Sequence, residues 1–282
     1  MQWTTSRFLL DLTKPKVMGI VNVTPDSFSD GGLHVGVTAA LRHCEQLLKD
    51  GADILDIGGE STRPGAIPVA VEEELSRVLP VLRDAVSLGV PVSVDTYKPA
   101  VMQAALDLGV DIINDVWALR WRPRHAEAAA PTPAQVIARH GSCGVCLMHM
   151  HREPQTMQAE PMTGDVVAQV LSFLERSAVA LQAQGVGRSR IVIDPGIGFG
   201  KTVAQNFTLL ARQQELLRAG YPVLVGWSRK SSLAAITGVA GAELLAPSVA
   251  AALLAIERGA GIVRVHDVLE TVQAIKVWSA IR

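Results

Sequence analysis

The sequence predicts an α/β protein folded as a (β/α)8 barrel of the TIM type. Three observations predict it. Short runs rich in Val, Ile and Leu recur eight times, segments of helical period separate them, and almost every run finishes in a polar or charged residue. Strands that alternate with helices form parallel sheets, and strands covered on both faces read as near-continuous aliphatic runs. A doubly wound open sheet uses the same alternation. The strand ends favour the barrel, which gathers all eight over one mouth, whereas an open sheet spreads them along an edge.

The first run, VMGIVNV (17–23), leads into the long polar loop NVTPDSFSDGG (22–32). Its turn formers explain themselves, but a glycine-rich loop with a lone Phe28 at a barrel mouth also suits a mobile lid. AALRHCEQLLKDG has helical period and stops at glycine, as helices commonly do. DILDIGG (53–59) comes next, followed by Glu60 and the loop GGESTRPGA (58–66), which sets Arg63 between Thr62 and Pro64. The helical segment VEEELSRVLPVLRDAVSLG returns the chain to PVSVD (91–95), ending in Asp95, and DIIND (111–115) ends in Asn114 and Asp115. RWRPRHAEAAAPTP (120–133) is the one irregular stretch, read as a surface loop entering a helix over 134–140. GVCLMHM (144–150) carries His149, and RIVIDPG (190–196) carries Asp194. PVLVG (222–226) precedes Ser228 and Lys230, and GIVRVHD (261–267) carries Arg264 and His266. No linker interrupts the series, so a single domain is expected over 1–282, with residues 1–16 covering the barrel floor.

Composition narrows the function. With 26 basic against 27 acidic side chains and no long block of one sign, neither nucleic acid nor an anionic membrane is the expected partner. The longest apolar run, 244–256, contains Pro247 and Ser248 and falls short of the roughly 20 residues a bilayer requires. The opening residues, with Asp11 among them, do not read as a signal peptide, so a cytoplasmic protein is expected. Three cysteines cannot build a disulfide framework. Cys143, Cys146, His149 and His151 invite a zinc reading, but along a strand Cys146 faces away from the other three. Cys143 and His149 would also lie ~20 Å apart, so core cysteines are expected instead. DPGIGFGKT (194–202) has Pro195 where a phosphate loop needs glycine, and reads as a strand-end turn.

Arg63, Lys230 with Arg229 beside it, and the pair Arg264 and His266 form a cationic rim on a nearly neutral chain, which suits a phosphate or pyrophosphate. Against it stand Asp95, Asn114, Asp115 and Asp194. Such residues cap helices, and Asp115 suits that role. Asn beside a carboxylate also offers donor and acceptor pairs for a flat, nitrogen-rich heterocycle, while a further carboxylate stabilises developing positive charge. The expected substrate is part heterocycle and part phosphate.

MGIVNVTPDSFSDGG, GADILDIGGESTRPGA, PVSVDTYKP, IINDVWAL, VCLMHM, IVIDPGIGFGK, LVGWSRKS and VRVHDV resemble, in order, the motifs of the bacterial dihydropteroate synthase family. The resemblance implies a folate-pathway transferase, commonly dimeric, on a (β/α)8 barrel. Such enzymes join 6-hydroxymethyl-7,8-dihydropterin diphosphate to 4-aminobenzoate with Mg2+ assisting, releasing pyrophosphate and 7,8-dihydropteroate. It further implies that Asp95, Asn114, Asp194 and Lys230, with Met148, Gly226 and Phe199, hold the pterin. Asn22, Arg63, Arg264 and His266 would bind the diphosphate, Asn22 through or beside the metal. Phe28, Thr62, Pro64 and Ser231 would form the aminobenzoate pocket, where sulfonamides compete. Asp95, Lys230 and Arg63 are the expected catalytic residues of an SN1-like displacement, and the late helices, 244–258 and 268–278, the expected dimer surface. A pterin-dependent methyltransferase and a non-catalytic pterin-binding protein are the alternatives. The stretch 120–143 is longer than the family pattern.

Overall fold

The computed structural model describes residues 1–24, 32–62, 65–122, 130–153, 156–157 and 159–281. Eight parallel strands close into a barrel: β3 (Lys16–Asn22), β4 (Ile54–Gly58), β5 (Val92–Asp95), β6 (Ile112–Asp115), β7 (Gly144–Met148), β8 (Ile191–Asp194), β9 (Val223–Val225) and β10 (Ala260–Val265), with β10 returning to pair with β3. Helices follow the strands: α1 (Gly32–Lys49), α2 (Val71–Ala85), α3 (Pro99–Asp107), α4 (Pro133–His140), α5 (Val166–Gln182), α6 (Val203–Ala211), α7 (Ser231–Thr237), α8 (Leu245–Glu257) and α9 (Val268–Ser279). The fold is the predicted one, and the eight strands fall within the eight aliphatic runs to within one residue.

Strand periodicity divides these runs between two cores. Val17, Leu55, Ile57, Val94, Ile113, Leu147, Ile193 and Val263 face outward and pack beneath the helices. Met18, Ile54, Ile112, Cys146, Val192, Leu224 and Ile262 face inward and fill the barrel as a layer of side chains, the way such barrels close their interior.

A short antiparallel hairpin, β1 (Gln2–Thr4) and β2 (Leu9–Asp11), precedes the barrel. Trp3 and Leu12 belong to the inner apolar layer, and Trp3 Nε1 donates to the Arg190 carbonyl at 2.9 Å, where β8 begins. Arg7 grips the Asp111 carboxylate with Nε at 2.9 Å and Nη2 at 2.6 Å, immediately before β6. These contacts all lie at the N-terminal ends of the strands, opposite the mouth.

The helix expected over 134–140 is α4. It opens on a capping box, in which the Thr132 hydroxyl accepts from the Gln135 amide and the Gln135 side-chain oxygen accepts from the Thr132 amide, and it stops at Gly141 with a left-handed φ of 81°. All three cysteines are buried and free: Cys143 sits under the helices and Cys146 inside the barrel. Among the described residues no single helix is long and apolar enough to cross a membrane.

Candidate active site

Above the inner apolar layer the same inward phase continues with polar side chains. Asp56 follows Ile54 on β4, Asn114 follows Ile112 on β6, Asp194 follows Val192 on β8 and Arg264 follows Ile262 on β10, each two residues on. Register sets Asp95 directly opposite Asn114 and Gly58 opposite Asp95. The alternation that packs the barrel therefore also aims its last turn of side chains into the mouth.

Arg264 organises this layer. Its Nε donates to Asp56 Oδ2 at 2.6 Å and its Nη2 to Asp95 Oδ2 at 2.8 Å, while Asn114 Nδ2 donates to the same Asp56 oxygen at 3.1 Å. Nη1 has no protein acceptor among the described residues. Burial opposes charge on the guanidinium, yet Asp56 and Asp95 outweigh it and hold its pKa above the ordinary arginine value. Burial pushes Asp95 up to about 7 against the pull of Arg264, with Asp56, Glu74 and Asp115 adding to the rise. Asp194 rises to about 6 through burial, offset by the Gly196 amide, which donates to it at 2.7 Å, and by Lys230, Lys201 and Arg264.

Asp56 is the residue that reading the sequence missed. It is fully buried in the middle of β4, and its Oδ1 finds no hydrogen-bond partner among the described residues. A signal was present in DILDIGG: a lone carboxylate in phase with an inward-facing isoleucine has no place in an apolar layer unless it meets a cation or a ligand.

Lys230, at the N-cap of α7, places its ammonium 4.6 Å from the centre of the Phe199 ring. Phe199 and Met148 belong to one apolar cluster at the mouth with Tyr97, Val116, Met150 and Met157. Gly226 lies beside Arg264, its absent Cβ 4.0 Å from the Arg264 Cβ. Ser231 is exposed at the first position of α7. His266 Nδ1 lies 2.9 Å from Ser228 Oγ, and the His266 amide donates to the same Ser228 oxygen at 3.1 Å. Asn22 is half-buried at the end of β3, opposite Gly58, and Thr62 is half-buried in the β4–α2 loop. Phe28, Arg63 and Pro64 lie outside the described residues.

Three sequence-highlighted groups serve the scaffold. Arg229, grouped with the cationic rim, adopts a left-handed φ of 57° and turns away to pair with Asp267. Asp115 points outward and caps the next turn, accepting from the amides of Trp117 and Leu119 at 2.7 Å each. His149 stays neutral: burial, with Lys201 and Arg120 nearby, lowers its pKa to about 2, and Lys201 Nζ stands 3.0 Å from its Nδ1.

Lys201 also ties down the turn after β8, donating to the carbonyls of Gly196 at 2.8 Å and Phe199 at 3.1 Å. Gly196 and Gly200 both have positive φ, and there is no room at either for a side chain. A Cβ on Gly196 would sit 1.9 Å from the His149 carbonyl oxygen, and one on Gly200 2.7 Å from His151.

A profile of the pterin binding enzyme family matches residues 18–266. The chain is 50% identical to the dihydropteroate synthase of Neisseria meningitidis serogroup C over 283 aligned residues, covering 99% of this chain and 97% of that one. It superposes with a TM-score of 0.89 on the Burkholderia cenocepacia dihydropteroate synthase complexed with 7,8-dihydropteroate, at 48% identity over 100% of this chain and 96% of the other. The Xanthomonas albilineans enzyme with 4-aminobenzoic acid gives 0.88 at 49% identity, over 97% and 95% of the two chains. With a match across most of its length, the chain belongs to the pterin-binding enzyme family.

Proposed function

We infer that this chain catalyses the dihydropteroate synthase reaction. It joins 6-hydroxymethyl-7,8-dihydropterin diphosphate to 4-aminobenzoate and releases pyrophosphate and 7,8-dihydropteroate. The observation that carries this reading is the near full-length match to enzymes of that activity, in a barrel whose mouth holds Arg264 between buried carboxylates.

Asp95, Asn114 and Asp194 read the pterin, against the apolar wall of Met148 and Phe199 and beside Gly226, with Lys230 above. The Arg264 face left over from the two aspartates, with His266, Arg63 and Asn22, takes the diphosphate. The bond from the pterin methylene to the diphosphate oxygen breaks first, and Asp95 stabilises the cation left behind. The aminobenzoate nitrogen then forms the new C–N bond and loses a proton. Preorganised charges of this kind are each worth ~10²- to 10³-fold. Phe28, Thr62, Pro64 and Ser231 hold the aminobenzoate, and sulfonamides compete there. Asn22 offers a hard amide oxygen at the mouth, and Mg2+ commonly takes one or two protein oxygens with phosphate and water completing its shell, so a bound ion would add positive charge at the diphosphate.

We place the enzyme in the cytoplasm, where its buried thiols stay reduced, and as a homodimer through α8 and α9, on which Leu254 is 46% and Val277 73% exposed. Incubation with the pterin diphosphate, 4-aminobenzoate and Mg2+ yields pyrophosphate and dihydropteroate, and chelation of the metal suppresses the yield. Pterin binding without pyrophosphate would instead mark a binding protein, and methyl transfer from methylfolate a methyltransferase. Light scattering gives the oligomeric state.

A further inference from the structure

We propose that Glu60 is a positioning residue for the aminobenzoate side of the site, acting through a buried cluster with Tyr97, Lys98 and Glu74 that fixes the root of the β4–α2 loop. This rests on the reading above that Thr62 and Pro64 meet aminobenzoate. Glu60 stands two residues past β4, where a carboxylate would ordinarily reach water, yet its side chain is 7% exposed. One of its oxygens accepts from the Tyr97 hydroxyl at 2.7 Å and the other from Lys98 Nζ, which also pairs with Glu74 at 2.5 Å. Tyr97 and Lys98 follow directly on Asp95 and Thr96, and Glu74 comes from α2. One carboxylate thus joins the loop root, the strand end that bears Asp95 and the helix behind them.

The neighbouring backbone is fixed as well. A Cβ on Gly59 would sit 2.7 Å from Val78 Cγ1, and the Gly59 carbonyl accepts from Arg77 Nη1 at 2.8 Å. The Tyr97 ring extends the corner, 5.3 Å from the Trp121 ring and 6.0 Å from that of Trp117.

The cluster sets two carboxylates against one ammonium. Buried charge in excess of its partner is costly. The cost shows at Glu74, whose carboxyl burial pushes above the usual range despite Lys98 and Thr96, with Glu60 adding to the rise. Stability alone would be served by a single carboxylate. The second, Glu60, is the one that belongs to the loop.

Glu60→Gln keeps the shape and leaves Lys98 and Glu74 as a balanced pair, so its Tm is no lower than that of the wild type. The expected result is a KM for 4-aminobenzoate raised about tenfold with the KM for pterin diphosphate within twofold, a split that a merely structural residue would not give. Tyr97→Phe shifts the same constant in the same direction by less. Amide exchange in peptides covering 59–62 quickens in Glu60→Gln, while exchange in β7 and β8 does not change. An aminobenzoate KM within about twofold of wild type, or both KM values rising together with a fallen Tm, overturns the proposal. If the wild type itself gives no product, the functional reading fails, and unchanged exchange at 59–62 would then overturn the positioning role separately.

Discussion

Arg264 reaches across the barrel interior to set Nη2 2.8 Å from Asp95, although their strands are separated by two others around the wall. A planar, forked donor makes this possible, since Nε meets Asp56 at the same time. Lysine carries the charge but not the fork. Arg264→Lys is expected to lower kcat/KM for the pterin diphosphate by about 10²-fold. Activity within threefold of wild type, measured as initial rates across substrate concentrations, would show that charge alone suffices.

Asp95 is expected to give the reaction its acid limb. The group must be ionised to stabilise a cation, and burial has raised its pKa to about 7. kcat/KM is therefore expected to climb between pH 5.5 and pH 8 with an apparent pKa near 7. Asp95→Asn abolishes the limb and costs ~10²- to 10³-fold in turnover. Stability carries the opposite sign. A carboxylate whose folded pKa lies above its unfolded value contributes stability that is complete below the unfolded pKa and lost as pH rises through the folded one. Asp95→Asn thus raises the Tm of the ligand-free protein at pH 8 and leaves it nearly unchanged at pH 4. A Tm that falls in the variant at pH 8 would contradict this assignment.

Asp56 is expected to matter to pterin binding as much as the strand-end residues do. Asp56→Asn preserves volume and an acceptor for Asn114 but removes one of the two charges under Arg264, so the KM for pterin diphosphate should rise about tenfold or more. Asp56→Leu leaves the guanidinium with Asp95 alone and is expected to destabilise the fold by about 3–5 kcal/mol. Denaturant titration beside kinetics separates the two effects. Asp56→Asn kinetics matching wild type would return Asp56 to a purely structural role.

Why Asp95, Asn114, Asp194 and Arg264 stand out in the sequence and Asp56 is easily passed over follows from how a barrel strand is built. A strand covered on both faces has no polar side to give its phase away, so only its end draws notice. Asp56, two residues inside β4, is hidden among isoleucines whose facing depends on register with Ile20 and Ser93. Arg229 fails in the opposite way: adjacency to Lys230 suggested a shared rim, but a left-handed backbone turns the two side chains apart. The pairing of Glu60 with Lys98 joins two loops 38 residues apart, and only the fold brings them together.

Trp3 offers a control far from the chemistry. It is fully buried at the closed end of the barrel and bonded to the chain entering β8. Trp3→Ala should cost about 3–5 kcal/mol of stability. Both KM values should stay put at temperatures where the variant is folded. A change in either substrate's KM without loss of stability would mean that the floor communicates with the mouth.

The two glycines of the turn after β8 bear on how the enzyme could evade an inhibitor. At Gly196 any side chain would collide with the His149 carbonyl, and at Gly200 with His151, so neither codon can mutate without dismantling the turn that carries Phe199. A compound that gains its affinity from the backbone of residues 196–200 rests on ground that selection cannot reshape one substitution at a time. A compound that depends on exposed side chains such as Ser231 has no such protection.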